Sequence, residues 1–189
     1  MDSSGQDFPT NEQIQHSADE FLNRAIYEQL SSEILDSVAD DQLQQTVFDN
    51  LMTKMNKDMS NEVEVFLKFT EGQKAVYAIW LLEAEINNGG FNQYYFNPSG
   101  KFALYAVDAL NLIGAPKYAE LVHRANEIYK ANEKQITSAD GGTLEGFFAS
   151  YEDNPLEKLD KEFFQLEREE NLSALGSTYI RKNKSEFTN

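Results

Sequence analysis

The sequence predicts an all-α protein, an irregular multi-helix bundle around a buried central helix at about residues 72–87, with no significant sheet. Three observations predict it. Apolar residues recur at three- and four-residue intervals along most of the chain, which places them on one face of a helix. The run Ala75-Val76-Tyr77-Ala78-Ile79-Trp80-Leu81-Leu82 is apolar nearly all round, so its helix belongs at the centre. No alternating, β-branched stretch competes with these patterns.

Ile14, Ala18, Phe21, Leu22, Ala25, Ile26, Leu30, Ile34 and Val38 stand at helical spacing with acids and amides between them, predicting a first amphipathic segment with one buried face. Leu43, Val47, Leu51 and Met55 predict a second helix; Val63, Phe66, Leu67 and Phe69 predict a shorter third. Thr70-Glu71-Gly72-Gln73 has the form of a capping box and opens the central helix, which Gly89 and Gly90 are expected to end. Asn97-Pro98-Ser99-Gly100 reads as a turn. Phe102, Tyr105, Ala106, Ala109, Leu110 and Ile113 form the next helix, stopped by Gly114. Pro116 suits the first turn of a helix continued by Ala119, Val122, Ala125 and Tyr129. Thr137 to Thr143 reads as a loop, and Leu144, Phe147, Phe148 and Tyr151 resume a helical pattern. Asn154-Pro155-Leu156-Glu157 predicts a further start, with Asn154 as cap, Pro155 first and Glu157 reaching back. Leu156, Leu159, Phe163 and Leu166 share one face, as do Leu172, Leu175 and Tyr179.

With 41% hydrophobic and 12% aromatic residues, the 189-residue chain can bury a real core, which excludes wholesale disorder. The 32 Asp and Glu against 16 Lys and Arg give a net charge of -16, a surface that repels phosphate backbones and anionic lipid. The basic residues are scattered among acids, so direct nucleic-acid binding is discarded. Residues 1–70 are the more acidic, at net -10 against -6 for the remainder. The absence of cysteine excludes disulfides, thiolate metal sites and a cysteine nucleophile. Met1 to Pro9 lacks the basic and apolar segments of a secretion signal, and no apolar run approaches the ~20 residues of a membrane span. A soluble, cytoplasmic protein is expected.

Candidate chemistry is sparse. Glu120 and His123 have the Glu-x-x-His spacing of di-iron bundles, but such sites need two motifs and more inward carboxylates, so an ordinary histidine is favoured. Glu83 and Glu85, two apart, point to different faces, and at least one is expected in solvent. Gly89-Gly90 lacks the Lys and Ser/Thr of a phosphate loop, and Asp140-Gly141-Gly142 lacks the ligand pattern of a calcium loop. The aromatic block Phe91-Asn92-Gln93-Tyr94-Tyr95-Phe96 has no basic groove with which to stack bases. It reads as a packed joint in which Asn87, Asn88, Asn92, Gln93 and Asn97 satisfy backbone groups at an interrupted helix. Neither a catalytic, a metal nor a cofactor site is predicted, and the chain is not expected to be an enzyme.

Across Asn87-Asn88-Gly89-Gly90-Phe91-Asn92-Gln93-Tyr94-Tyr95-Phe96-Asn97-Pro98-Ser99-Gly100 the chain resembles the DNA-mimic protein family, and the likeness extends through Ala109-Leu110, Ile113-Gly114-Ala115, Asn154-Pro155-Leu156 and Tyr179-Ile180-Arg181. It covers roughly residues 71–187. The resemblance implies an acidic, often dimeric helical protein whose carboxylates imitate DNA phosphates and occupy the DNA-binding surface of a basic partner, a nucleoid-type protein or transcription regulator. Residues 71–189 would form that domain and residues 1–70 an acidic helical extension packed on it. Candidate partner-binding acids are Asp19, Glu20, Glu28, Glu33, Asp36, Asp40 and Asp41 in the first part, and Glu152, Asp153, Glu157, Asp160, Glu162, Glu167, Glu169 and Glu170 in the second. The competing readings are acids that serve solubility alone, an immunity- or antitoxin-like inhibitor of a basic nuclease, and a small-ligand or enzymatic pocket around Asn88, Gln93, Tyr94 and Asn97.

Overall fold

Thr70 opens the longest helix of the computed structural model, which describes residues 10–137 and 154–188. Its side chain accepts from the Gln73 N–H at 3.1 Å, and the Gln73 side chain accepts from the Thr70 N–H at 3.1 Å, the predicted reciprocal cap. The helices are α1 (Asn11–Leu22), α2 (Ser32–Ser37), α3 (Asp40–Met52), α4 (Glu62–Leu67), α5 (Glu71–Phe96), α6 (Ala103–Ile113), α7 (Pro116–Thr137), α8 (Glu157–Leu166) and α9 (Leu172–Lys182). Short 3₁₀ turns cover Pro98–Phe102 and Lys184–Glu186. The fold is all-α, with no strand among the described residues.

Helix α5 is the axis. Ala75, Val76, Tyr77, Ala78, Ile79 and Leu82 are each at most 1% exposed because α3, α6, α7 and α8 pack around it. Each large apolar side chain so buried contributes roughly 1.5–3 kcal/mol. Aromatic rings fill the gap between α3, α4 and α6: Phe48 stacks on Trp80 at 3.7 Å, and Phe66 meets Phe102 at 4.6 Å and Tyr105 at 4.9 Å. The Tyr77 hydroxyl, buried among them, donates to Glu62 at 2.5 Å, and Glu62 is neutralised by Lys101. Helix α6 stops at Gly114, whose φ of 89° and ψ of 32° are left-handed, and Pro116 opens α7, both as predicted.

Four elements differ from the expectation. The first amphipathic stretch breaks after Leu22 and becomes helical again only at Ser32, where Ser31 caps α2. Between them Arg24 binds the α3 carboxylate Asp49 at 2.5 and 2.8 Å, and Asn50 donates to the carbonyls of Tyr27 and Glu28, so the segment follows α3 instead of its own helical path. Part of the expected buried face is exposed, with Phe21 50%, Leu22 75% and Ile26 58% accessible, while Leu30 is buried and Ile34 and Val38 pack partly against the core. Second, α3 ends at Met52, and Met55 reaches the core from the following turn.

Third, Gly89 and Gly90 bend the central helix without ending it. Gly90, at φ 72° and ψ -174°, redirects the chain, and the Phe91 N–H freed by the bend donates to Asp160 on α8 at 2.8 Å. Helix then resumes to Phe96. Fourth, Asn154 accepts from the Leu156 N–H at 2.8 Å two residues ahead of the cap position, and α8 opens at Glu157 without a side-chain cap. The predicted loop from 137 meets the end of α7 at Thr137; its remainder and the pattern of Leu144, Phe147, Phe148 and Tyr151 lie outside the described residues.

The two positive-φ glycines should respond differently to a methyl group. At Gly90 a Cβ would lie 2.4 Å from Asp160, whereas at Gly114 nothing lies within 4 Å. Gly90→Ala is expected to cost about 3 kcal/mol or more from backbone strain plus the clash, and Gly114→Ala about 1–2 kcal/mol from strain alone. Urea unfolding of both variants measures the difference, and equal losses would contradict the role given to Asp160.

Candidate functional site

Most of the candidate acids on the second half of the chain are occupied by the fold. Asp160 receives the Phe91 N–H in the α5 bend, and burial raises its pKa against the lowering effect of that bond. Glu170, 9% exposed, accepts from the Lys117 and Tyr118 N–H groups at 3.0 and 3.2 Å, satisfying the free donors at the start of α7. Glu169 pairs with the Lys117 ammonium and Glu162 with Arg124. Glu167 accepts from Asn171 at 2.5 Å. Glu157 is exposed, while Glu152 and Asp153 lie outside the described residues.

The amino-terminal acids divide differently. Asp40 is held by Arg181 at 2.7 Å, and Ser177 donates to its carbonyl, so it joins α3 to α9. Asp36 pairs with Lys184. Asp19, Glu20, Glu28, Glu33 and Asp41 are all exposed, and no Lys or Arg pairs with them among the described residues. The Asp19 carboxylate accepts from Gln15, and Glu20 lies 3.4 Å from His16. Glu33 has its pKa lowered by the Ser31 hydroxyl, which keeps it ionised. Every described side chain from Asn11 to Glu20 is exposed, so α1 presents its acids to solvent.

The joint at residues 87–100 is a polar knot. Gln93, Asn97 and Ser99 converge on the Glu85 carboxylate at 2.7, 2.8 and 2.8 Å, and Asn88 donates to Gln93 at 3.0 Å. Asn154 donates to Asn92 across the α5–α8 contact. These amides therefore bond a carboxylate and one another, and at the bend the Phe91 N–H is met by Asp160. Gly100 lets the 3₁₀ turn close on the Tyr94 and Tyr95 backbone, from which a Cβ at this position would lie only 3.0 Å, while Asn87 is exposed. Tyr94 is fully buried with no partner for its hydroxyl, and burial followed by the Glu85 charge raises its pKa. Sequence reasoning missed Glu85 as the hub, although the amides and hydroxyl eight, twelve and fourteen residues later were the available signal.

Glu83 and Glu85 are both partly exposed. Burial, then the neighbouring Glu167 charge, pushes Glu83 up to about 7. Glu120 and His123 are exposed, and no group of three or more His, Asp or Glu among the described residues could hold a metal ion. No described helix is long and apolar enough to cross a membrane.

These features define a strongly acidic all-helical protein in which some carboxylates are bonded within the fold and others, among them Asp19, Glu20, Glu28, Glu33 and Asp41 at the amino-terminal end, are exposed without a Lys or Arg pair among the described residues. A family profile described as DMP19-like protein matches residues 67–183, and the chain belongs to that family. No curated protein and no solved structure matches the chain. The matched stretch spans α5 to α9; α1, α2 and α3 precede it.

Glu83 gives stability a defined pH dependence. Folded Glu83 keeps its proton to about pH 7, against an ordinary value of 4.5, so the native state binds the extra proton between these limits. The stability it contributes is complete below about 4.5 and lost as pH rises through about 7. Glu83→Gln should flatten this slope and stabilise the chain by about 1–3 kcal/mol above neutrality. Thermal unfolding from acid to alkaline pH checks this, and an unchanged slope would count against it.

Proposed function

We propose that this chain is a DNA-mimic protein that occupies the DNA-binding surface of a basic nucleic-acid-binding protein and modulates it, in the cytoplasm and without catalysing a reaction. The observation that carries the reading is the division of its carboxylates. Acids bonded within the fold have less charge to offer a partner, but Asp19, Glu20, Glu28, Glu33 and Asp41 are exposed and have no Lys or Arg partner among the described residues, on a chain of net charge -16. Exposed carboxylates on α1, α2 and α3, with Glu28 on the segment between α1 and α2, can attract the Lys and Arg that otherwise meet duplex phosphates. Membership of the DMP19-like family supports the same direction. The pocket reading is not favoured, because the amides of the 87–100 joint are engaged with Glu85, Gln93 and Asn92.

Competition measures this directly. A fluorescent duplex is bound to a basic nucleoid-type protein and the chain is titrated in. Displacement is expected, weakening about tenfold or more between about 50 mM and about 200 mM salt, because exposed charges are screened. The variant Asp19→Asn/Glu20→Gln/Glu28→Gln/Glu33→Gln should lose most of the effect, while Glu157→Gln changes little. Failure to displace duplex from any basic DNA-binding protein, or salt-independent displacement, would end the reading.

A further inference from the structure

Beside the exposed acids lies a feature that charge alone does not explain. A groove of about 560 Å³ runs between the end of α1 and the start of α3, with Glu20 on one side, Asp41 and Gln42 on the other, and Ala25, Tyr27 and Val38 along its wall. A second cleft of about 310 Å³ shares Glu20, Arg24 and Asp41 and adds Ser17 and Phe21. Next to them Phe21, Leu22 and Ile26 are 50%, 75% and 58% exposed, an apolar ridge on an otherwise polar end of the molecule. The cation in this lining, Arg24, is fully used: Nε and Nη2 bind Asp49, Nη1 donates to the Phe21 carbonyl at 2.5 Å, and the guanidinium lies 3.8 Å over the Phe21 ring. Arg24 thus shows that this place accepts a guanidinium between a carboxylate and an aromatic face.

From the groove, the ridge and their charge we infer that this end of the chain is the docking site for a basic amphipathic segment of the partner protein. One Arg or Lys of that segment lays its stem along Ala25, Tyr27 and Val38 with its head between Glu20 and Asp41. The apolar side of the segment covers Phe21, Leu22 and Ile26. Charge complementarity selects this occupant over a second copy of the chain, since residues 1–70 carry net -10 and would meet like charge. The inference rests on the proposed function and adds to it: uncompensated acids give attraction to any cation, whereas the ridge restricts the partner to a surface that is both basic and apolar. The site lies before residue 67, where the family match begins, so it distinguishes this chain's partner from what residues 67–183 alone would bind.

The test uses the full ¹⁵N-labelled chain and two peptides of about 18 residues, one with Leu on one helical face and Lys on the other, one of Lys alone. Amide shifts from the Leu/Lys peptide should centre on residues 20–27 and 41–46, with affinity about tenfold above oligolysine. Leu22→Ser/Ile26→Ser should remove that advantage, and Glu20→Gln/Asp41→Asn should weaken both peptides; all four positions are exposed, so circular dichroism should stay unchanged. Equal binding of both peptides, shifts centred on residues 157–170, or shifts at 20–27 on concentrating the chain alone would overturn the inference. If the chain displaces duplex from a basic protein yet fails here, the groove falls and the mimic reading stands. If the peptide seats here and no duplex is displaced, the mimic reading falls alone.

Discussion

The fold depends on a break in its own central helix. A 26-residue helix as apolar as α5 would run straight past the core, and the bend at Gly89–Gly90 turns its last two turns back against α7 and α8. Such a bend releases a backbone donor in a nearly dry environment, where an unmet N–H costs about 1–3 kcal/mol. Asp160 meets it from 69 residues away, and in doing so fixes where α8 docks. Glu85 holds the far side of the bend through Gln93, Asn97 and Ser99. Two carboxylates therefore act as structural clamps, in a protein where carboxylate is the abundant currency of the surface.

The same division recurs elsewhere. Glu170 closes the start of α7 and Glu186 the start of α5, where its carboxylate accepts from the Gly72 N–H at 2.6 Å. Glu62, Asp49 and Asp40 each take a cation from a distant part of the chain and tie helices together. A helix start favours an anion because its free N–H groups and macrodipole are positive there. Acids placed at these points stabilise the bundle and leave the external field to the remainder. The net charge of the chain thus overstates what the α8–α9 face offers a partner and describes the amino-terminal end better.

That end is joined to the body in a way that keeps it exposed. Arg24, Asn50 and the buried Leu30 fasten residues 24–30 to α3, so α1 stands outside the packed helices with its acids and its apolar residues both accessible. In the family-matched region Glu85 and Asp160 are engaged at the bend, whereas Asp19, Glu20, Glu28, Glu33 and Asp41 ahead of it are exposed with no Lys or Arg pair among the described residues.

Much of the helical architecture was legible because its causes are local. The reciprocal Thr70–Gln73 cap, the left-handed stop at Gly114, Pro116 at the start of α7 and the buried stripe through Ile79 each follow from neighbouring residues. The break after Leu22 was not legible, since its spacing is helical to Val38 and the competing contacts come from Asp49 and Asn50. Nor could sequence separate Asp160 or Glu170 from Glu28 or Asp41, because an acid is structural or free according to what lies opposite it. Sequence by itself determined the helical class, the central helix and the surplus of negative charge, all properties of residue type and spacing. Only the tertiary structure decided which carboxylates remain available, since a charge is neutralised through space by groups up to 148 residues away.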